Sequence, residues 1–280
     1  MGFIAIVGCG ALGGAVAHKV AGRDRVAEVR LVDPEGRIAQ GKALDILQSA
    51  PIEQFSTRVS AATDWNAVAG AEVIVIADDG RTGQEHAGEA GLAMLRQIAR
   101  VAGVTPIVFA GAAQRELIAR SAGELNISRA RLIGSAPLAL EAAVRAIVAV
   151  LLDSSGVEVA LRVFGVPPGA AVVAWEEATA AGLPLSAQLP AHQIAAIDAR
   201  LRSLWPPGPY ALASAAARVV EALVGRSRRS FSCFVPLERG PLRGAVVAMP
   251  VELGLGGTKR VIEPVLSRQE LTRLENAIEM

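Results

Sequence analysis

Apolar and polar residues alternate in blocks along the first half of the chain, and the block lengths separate strands from helices. Phe3 to Val7 is a short, β-branched apolar run with the length of a buried strand. A helical stretch follows, then a second apolar run at Val29 to Val32. Gly36 to Ala50 has helical apolar spacing and is expected to end before Pro51, which has no N–H to continue the ladder. Val59 to Ala61 predicts a short strand. Ala71 to Ala77 and Pro106 to Ala110 predict fully buried ones, and Arg131 to Gly134 closes the series. Helices are expected over Gln84 to Ala102 and near Gln114 to Glu124. Strands alternating with helices of about ten or more residues imply βαβ units and a parallel sheet.

The second half changes character. Val157 to Val166 is strand-like, and prolines and glycines cluster at Val166 to Gly169. Helices are expected near Ala191 to Leu204 and Tyr210 to Val224, and strands at Phe231 to Pro236 and Gly244 to Met249. A last helix is predicted to open at Ser267, with Glu270 completing a capping box. The fold class expected is α/β: a Rossmann-type doubly wound parallel sheet over residues 1–135, followed by an α+β domain over residues 136–280.

Between the first strand and its helix stands Gly8-Cys9-Gly10-Ala11-Leu12-Gly13. The first glycine allows a tight strand-to-helix turn. The second lets backbone approach a pyrophosphate, and the third packs helix against strand. The helix N-terminus then offers N–H groups and partial positive charge to phosphates. Asp33 follows the last glycine by about twenty residues, where a carboxylate accepts hydrogen bonds from an adenosine ribose. The candidate dinucleotide cradle is therefore Gly8, Gly10, Ala11, Leu12, Gly13 and Asp33. A carboxylate at Asp33 favours NAD over NADP, while Arg37 nearby leaves room for a 2′-phosphate. The plainer alternative is a structural turn beside a solvated aspartate.

Composition narrows the function classes. Hydrophobic residues make up 52% of 280, ample for two modest domains. The longest apolar run, around Ala142 to Leu152, is interrupted by Arg145 and falls short of the ~20 residues of a membrane span. No signal peptide or myristoylation motif is apparent, so the cytoplasm is the expected compartment. A formal net charge of +1 with interspersed signs gives no basic stripe for nucleic acid. The densest basic cluster, Arg226, Arg228 and Arg229, reads as a cap on a helix C-terminus. Cys9 and Cys233 form no metal-type pair, and no metal is expected.

Along its whole length the chain resembles the lactate/malate dehydrogenase family. The resemblance is carried by Gly8 to Gly13, Leu31-Val32-Asp33, Gly41-Lys42-Ala43-Leu44-Asp45, Ala69 to Ile76, Arg131-Leu132-Ile133-Gly134, and Met249-Pro250-Val251-Glu252-Leu253-Gly254 with Gly256-Gly257. It implies an NAD-dependent enzyme that oxidises a 2-hydroxy acid. In such enzymes a histidine accepts the hydroxyl proton, a carboxylate orients it, and arginines clamp the substrate. It also implies a homodimer or homotetramer, with Gly36 to Ala50 at subunit contacts. The machinery does not carry over. Pro167 stands near the histidine position, and Leu140 and Ala143 near those of the carboxylate and the substrate arginine. Ala110-Gly111-Ala112 replaces the family's Thr-Asn-Pro turn, and the mobile loop is shortened to Gly80-Arg81-Thr82-Gly83.

Substitutes for that machinery are few. His86, where the mobile loop meets its helix, Arg81 and His192 are the candidates, each with a plain surface role as the alternative. His18 reads as a surface residue and Arg145 as a helix-surface charge. Asp78 and Asp79 end a buried strand at its carboxyl side, the ligand-facing side of an open α/β sheet. They can cap a helix, bind a cation or hold a proton. Two readings follow: a dehydrogenase whose 2-hydroxy acid activity is lost or altered, and a non-catalytic NAD-binding or scaffolding relative. A third keeps only oligomerisation.

Overall fold

Six strands, the central ones apolar throughout, build the first half of the molecule. They are Phe3–Val7 (β1), Glu28–Val32 (β2), Arg58–Ala62 (β3), Val73–Ile76 (β4), Ile107–Phe109 (β5) and Leu132–Gly134 (β6), all parallel in the order β3-β2-β1-β4-β5-β6. Parallel strands are buried on both faces by their crossover helices and so read as unbroken apolar runs; β4 is buried at every residue. Ala11–Ala21 (α1), Gly36–Glu53 (α2), Gly88–Val101 (α3) and Arg115–Glu124 (α4) lie between the strands, and Ala136–Leu151 (α5) leaves β6. The strand order reverses between β1 and β4, so the crevice outside their carboxyl ends is where such a sheet offers a binding site. A computed structural model describes residues 2–225, 227, 229–238, 243–262, 268, 270 and 272.

The second half extends the same sheet. Strands Val159–Ala160 (β7), Val163–Val166 (β8), Ala170–Val173 (β9), Thr179–Ala180 (β10) and Leu183–Pro184 (β11) come first. Helices Leu185–Gln188 (α6), Ala191–Arg200 (α7) and Pro209–Val224 (α8) follow, then Ser230–Pro236 (β12), Val246–Gly254 (β13) and Gly257–Val261 (β14). Phe234 of β12 pairs antiparallel with Gly134 of β6, and the sheet continues β12-β13-β8-β9, with β14 on β13. A small sheet, β11-β10-β7, stands apart. One apolar core runs through the parallel sheet, its helices and α8. A second gathers Leu140, Val144 and Val148 of α5 with Leu161, Val163 and Val173.

The α/β class and the element order agree with the sequence pattern, and the departures have local causes. The α2 helix continues through Pro51 to Glu53, because proline one turn from an exposed helix end removes only a single ladder bond. The α3 helix begins at Gly88 rather than Gln84, because the preceding residues hydrogen-bond back to the end of β4. The run Val157 to Val166 divides into β7 and β8, and Ala191 to Leu204 ends in a 3₁₀ turn at Leu201–Leu204. Strand β13 extends to Gly254, well past Met249. Ser267, Arg226 and Arg228 lie outside the described residues.

The β1–α1 turn is sterically demanding. Gly8 adopts φ +98°, a conformation that glycine takes without cost, and a Cβ on Gly13 would overlap the Gly8 carbonyl oxygen. Gly13→Ala is expected to lower unfolding stability by about 1–3 kcal/mol. Urea denaturation measures this, and an unchanged midpoint would contradict the packing described.

Candidate functional site

The helix that follows the glycine loop begins without a cap of its own. Its N-cap is Gly10, which has no side chain, and its first turn holds no acid. The first N–H groups of any helix need partners from elsewhere. Here a carboxylate from the end of β4 supplies them: the Leu12 N–H donates to Asp78 Oδ2 at 2.9 Å and the Gly13 N–H to Asp78 Oδ1 at 2.7 Å. The Gly10 N–H donates to the Asp78 carbonyl at 3.0 Å. Asp78 is only 3% exposed. A Cβ on Gly10 would overlap its carboxylate, so the glycine that lets a pyrophosphate approach also lets this side chain approach. An anion at a helix N-terminus gains from the aligned peptide dipoles and from charge-assisted hydrogen bonds.

Asp33 directly follows β2 and is fully buried. Its Oδ2 accepts from the Cys9 N–H at 2.8 Å and the Gly80 N–H at 2.9 Å, and its Oδ1 from the Glu35 N–H at 2.9 Å. The Gly80 bond comes from the shortened mobile loop, which lies across this end of the sheet. The Asp79 carboxylate closes that loop, accepting from Thr82 N–H at 2.7 Å and Thr82 Oγ1 at 2.9 Å. Asp79 N–H donates to Gln84 carbonyl, and His86 N–H to Ala77 carbonyl. Beyond the loop, Glu85 reaches the turn after β5, accepting from Ala112 N–H at 2.9 Å and Ala113 N–H at 2.7 Å. Gln114 Nε2 donates to the carbonyls of Ala77 and His86.

His86 is drawn inward by this closure. Its ring meets Trp65 edge-on with centroids 6.5 Å apart, Nε2 abuts Gly8, and that nitrogen is buried without a hydrogen-bond partner among the described residues. Burial pushes its pKa below the ordinary histidine value, against the opposing pull of Asp79, Asp33 and Asp78. Burial likewise pushes the Cys9 thiol up to about 12, helped by Asp33, so a reactive thiolate is not its role.

The other candidates lie elsewhere. Arg81 is exposed and pairs with Glu35 at 3.7 Å, His192 is exposed on α7, and His18 pairs with Glu53 at 2.8 Å. Arg145 is no free surface charge: its Nη2 donates to the Gly156 carbonyl at 2.8 Å. Pro167 is buried in the turn between β8 and β9, and Leu140 is fully buried in the second core. Sequence patterning missed Glu141, the buried carboxylate beside Leu140. It accepts from Ser232 Oγ at 2.6 Å and faces Arg162 at 3.4 Å. Burial pushes its pKa up, opposed by Arg162, Ser232 and Arg145. Among the described residues no group of three or more His, Cys, Asp or Glu is placed to hold a metal ion, and no helix is long and apolar enough to cross a membrane.

The glycines and Asp33 keep the ingredients of a dinucleotide cradle, but the arrangement leaves no phosphate seat. A pyrophosphate needs the Leu12 and Gly13 N–H groups that Asp78 occupies, and would face a carboxylate of like charge there. With Asp78 and the loop so placed, the N–H groups that a pyrophosphate would take are already occupied.

Residues 3–89 match the family model described as lactate/malate dehydrogenase, NAD binding domain. Over 294 residues, 97% of this chain and 94% of the relative, the sequence is 29% identical to a malate dehydrogenase of Chloroherpeton thalassium. A malate dehydrogenase of Thermomicrobium roseum is 29% identical over 296 residues, covering 98% and 95%. Among solved structures, the malate dehydrogenase from Salinibacter ruber superposes with a TM-score of 0.85 at 24% identity, covering 98% of this chain and 93% of that one. A lactate dehydrogenase from Cryptosporidium parvum, complexed with lactic acid and nicotinamide adenine dinucleotide, gives a TM-score of 0.86 at 20% identity, covering 99% and 94%. These superpositions establish a shared fold.

The burial of His86 has a measurable consequence. An unfolded chain protonates this ring near pH ~6.5, whereas the folded one resists until lower pH, so the unfolded state binds more protons in that window. Folding stability contributed by His86 is therefore present above that pH and lost as pH falls below it. Thermal melts of wild type should lose more stability between about pH 7 and pH 5 than those of His86→Gln. Identical slopes would mean the ring is solvated.

Proposed function

We infer, for a chain that belongs to the lactate/malate dehydrogenase family and whose residues 3–89 match that family's NAD-binding domain, that the family reaction is lost and the protein acts as a non-catalytic relative. One observation carries the reading: the places where the resemblance puts the chemistry hold groups that can neither take a proton nor grip an anion. Pro167 is buried in its turn, Leu140 packs with Val144 and Val148, and Ala143 is half-buried on the same helix. A positioned general base contributes about 10²–10⁴-fold, and a bidentate guanidinium adds orientation. Glu85 supports the same conclusion. It takes up the Ala112 and Ala113 N–H groups of the turn that stands in place of the family's Thr-Asn-Pro.

The cradle we assign to Gly8, Gly10, Ala11, Leu12, Gly13 and Asp33, with NAD as the dinucleotide. Leu44 and Ile52 of α2, 57% and 83% exposed, support a second copy of this chain as partner through that helix, in a homodimer or homotetramer. Two free, buried cysteines support a reducing compartment such as the cytoplasm.

An NADH-oxidation assay with oxaloacetate, pyruvate and related 2-keto acids tests the reading. No turnover above background is expected across the panel. Turnover of any of them at roughly 1–10³ s⁻¹, ordinary for enzymes, would overturn it.

A further inference from the structure

We propose that Asp78 is a tethered stand-in for pyrophosphate, so that in its resting form the protein closes its own dinucleotide cleft. The carboxylate presents two oxygens to adjacent helix N–H groups, Leu12 at 2.9 Å and Gly13 at 2.7 Å, the same donors that bind phosphate at such a turn. It enters through the gap that Gly10 leaves. Its neighbours complete the closure. Gly80 covers Asp33, which would otherwise face a ribose, and a Cβ on Gly80 would stand 2.8 Å from Oδ2 of that aspartate. His86 sits against Gly8, and Glu85 fastens the far end of the segment to the turn after β5.

Three carboxylates, Asp33, Asp78 and Asp79, gather at this end of the sheet, so an incoming polyphosphate meets like charge as well as occupied donors. Asp78 is joined to the sheet through β4 and competes at fixed proximity, independent of protein concentration. A dinucleotide therefore binds only when Asp78 withdraws and Gly80 releases Asp33. Gly83 and Gly88 hold positive φ with open space around them, which places permissive backbone at the loop tip and at the junction with α3. The proposal rests on the family's cradle and not on the loss of catalysis.

Calorimetric titration of NADH into wild type and Asp78→Ala, at one ionic strength, tests it. The variant is expected to bind at least about tenfold more tightly, the scale of one charge-assisted hydrogen bond. Inorganic pyrophosphate should raise the melting temperature of the variant and not that of wild type. Equal or weaker NADH affinity in the variant would overturn the proposal. If Asp78→Ala does not fold for want of the α1 cap, Glu85→Ala decides. That variant keeps the cap and frees the far end of the loop, so several-fold tighter NADH binding is expected, and no gain overturns the proposal. Neither readout involves a keto acid. A variant that binds NADH tightly and also reduces oxaloacetate would uphold the closed cleft while refuting the non-catalytic reading.

Discussion

A parallel sheet brings the carboxyl ends of β1 and β4 side by side, and the helix leaving β1 starts there with unsatisfied N–H groups and a partial positive charge. Some anion has to meet that demand, because buried donors without partners cost free energy comparable to a lost hydrogen bond. In this chain the anion is covalently part of the protein: Asp78 fills the role for α1. The loop after β4 follows from that choice. Once Asp78 turns inward, Gly80 lies over Asp33, and Asp79 closes a tight turn with Thr82. Glu85 and His86 then fall against the turn after β5 and the glycine loop.

The second half is likewise satisfied from within. Leu140 places an alkyl side chain in an apolar cluster at the position where the resemblance leads one to expect a carboxylate. Burying a charge there without a partner would be expensive, and Pro167, in the turn between β8 and β9, has no ionisable side chain to pair with one. The charge on that helix instead sits one residue on, at Glu141, where Ser232 and Arg162 satisfy it. A carboxyl group held this way ties α5 to β12 and to the residue before β8. At one place carboxylates meet N–H groups, and at the other hydrocarbon packs on hydrocarbon.

Much of this was legible from residue order. The alternation of apolar runs and helical spacing gave the parallel sheet, and the glycine spacing located its ligand end. Pro167, Leu140 and Ala143 marked where the resemblance leads one to expect titratable and charged groups and the sequence has none. What escaped were contacts between distant residues. Asp78 was open to a capping role, but nothing in Asp78-Asp79-Gly80 says that the amide it caps, Leu12, lies sixty-six residues earlier. His86 looked like an exposed helix-start residue because α3 was expected from Gln84. The chain instead bonds back to Ala77 and carries the ring inward. Pro51 shows the opposite error, a helix breaker whose single lost bond falls too near the helix end to matter. Glu141 marked only the flank of an apolar run, since periodicity cannot reveal that Ser232 arrives from β12 and Arg162 from the link between β7 and β8.

The account depends most on the first turn of α1 being occupied from within. Amide hydrogen exchange at Leu12 and Gly13, followed by NMR on the wild-type protein without added nucleotide, reports on that directly. The account predicts that both amides are protected as strongly as those of the following helical turn. Exchange at the rate of an open helix end, with Gly14 onward still protected, would contradict it and leave the phosphate seat vacant.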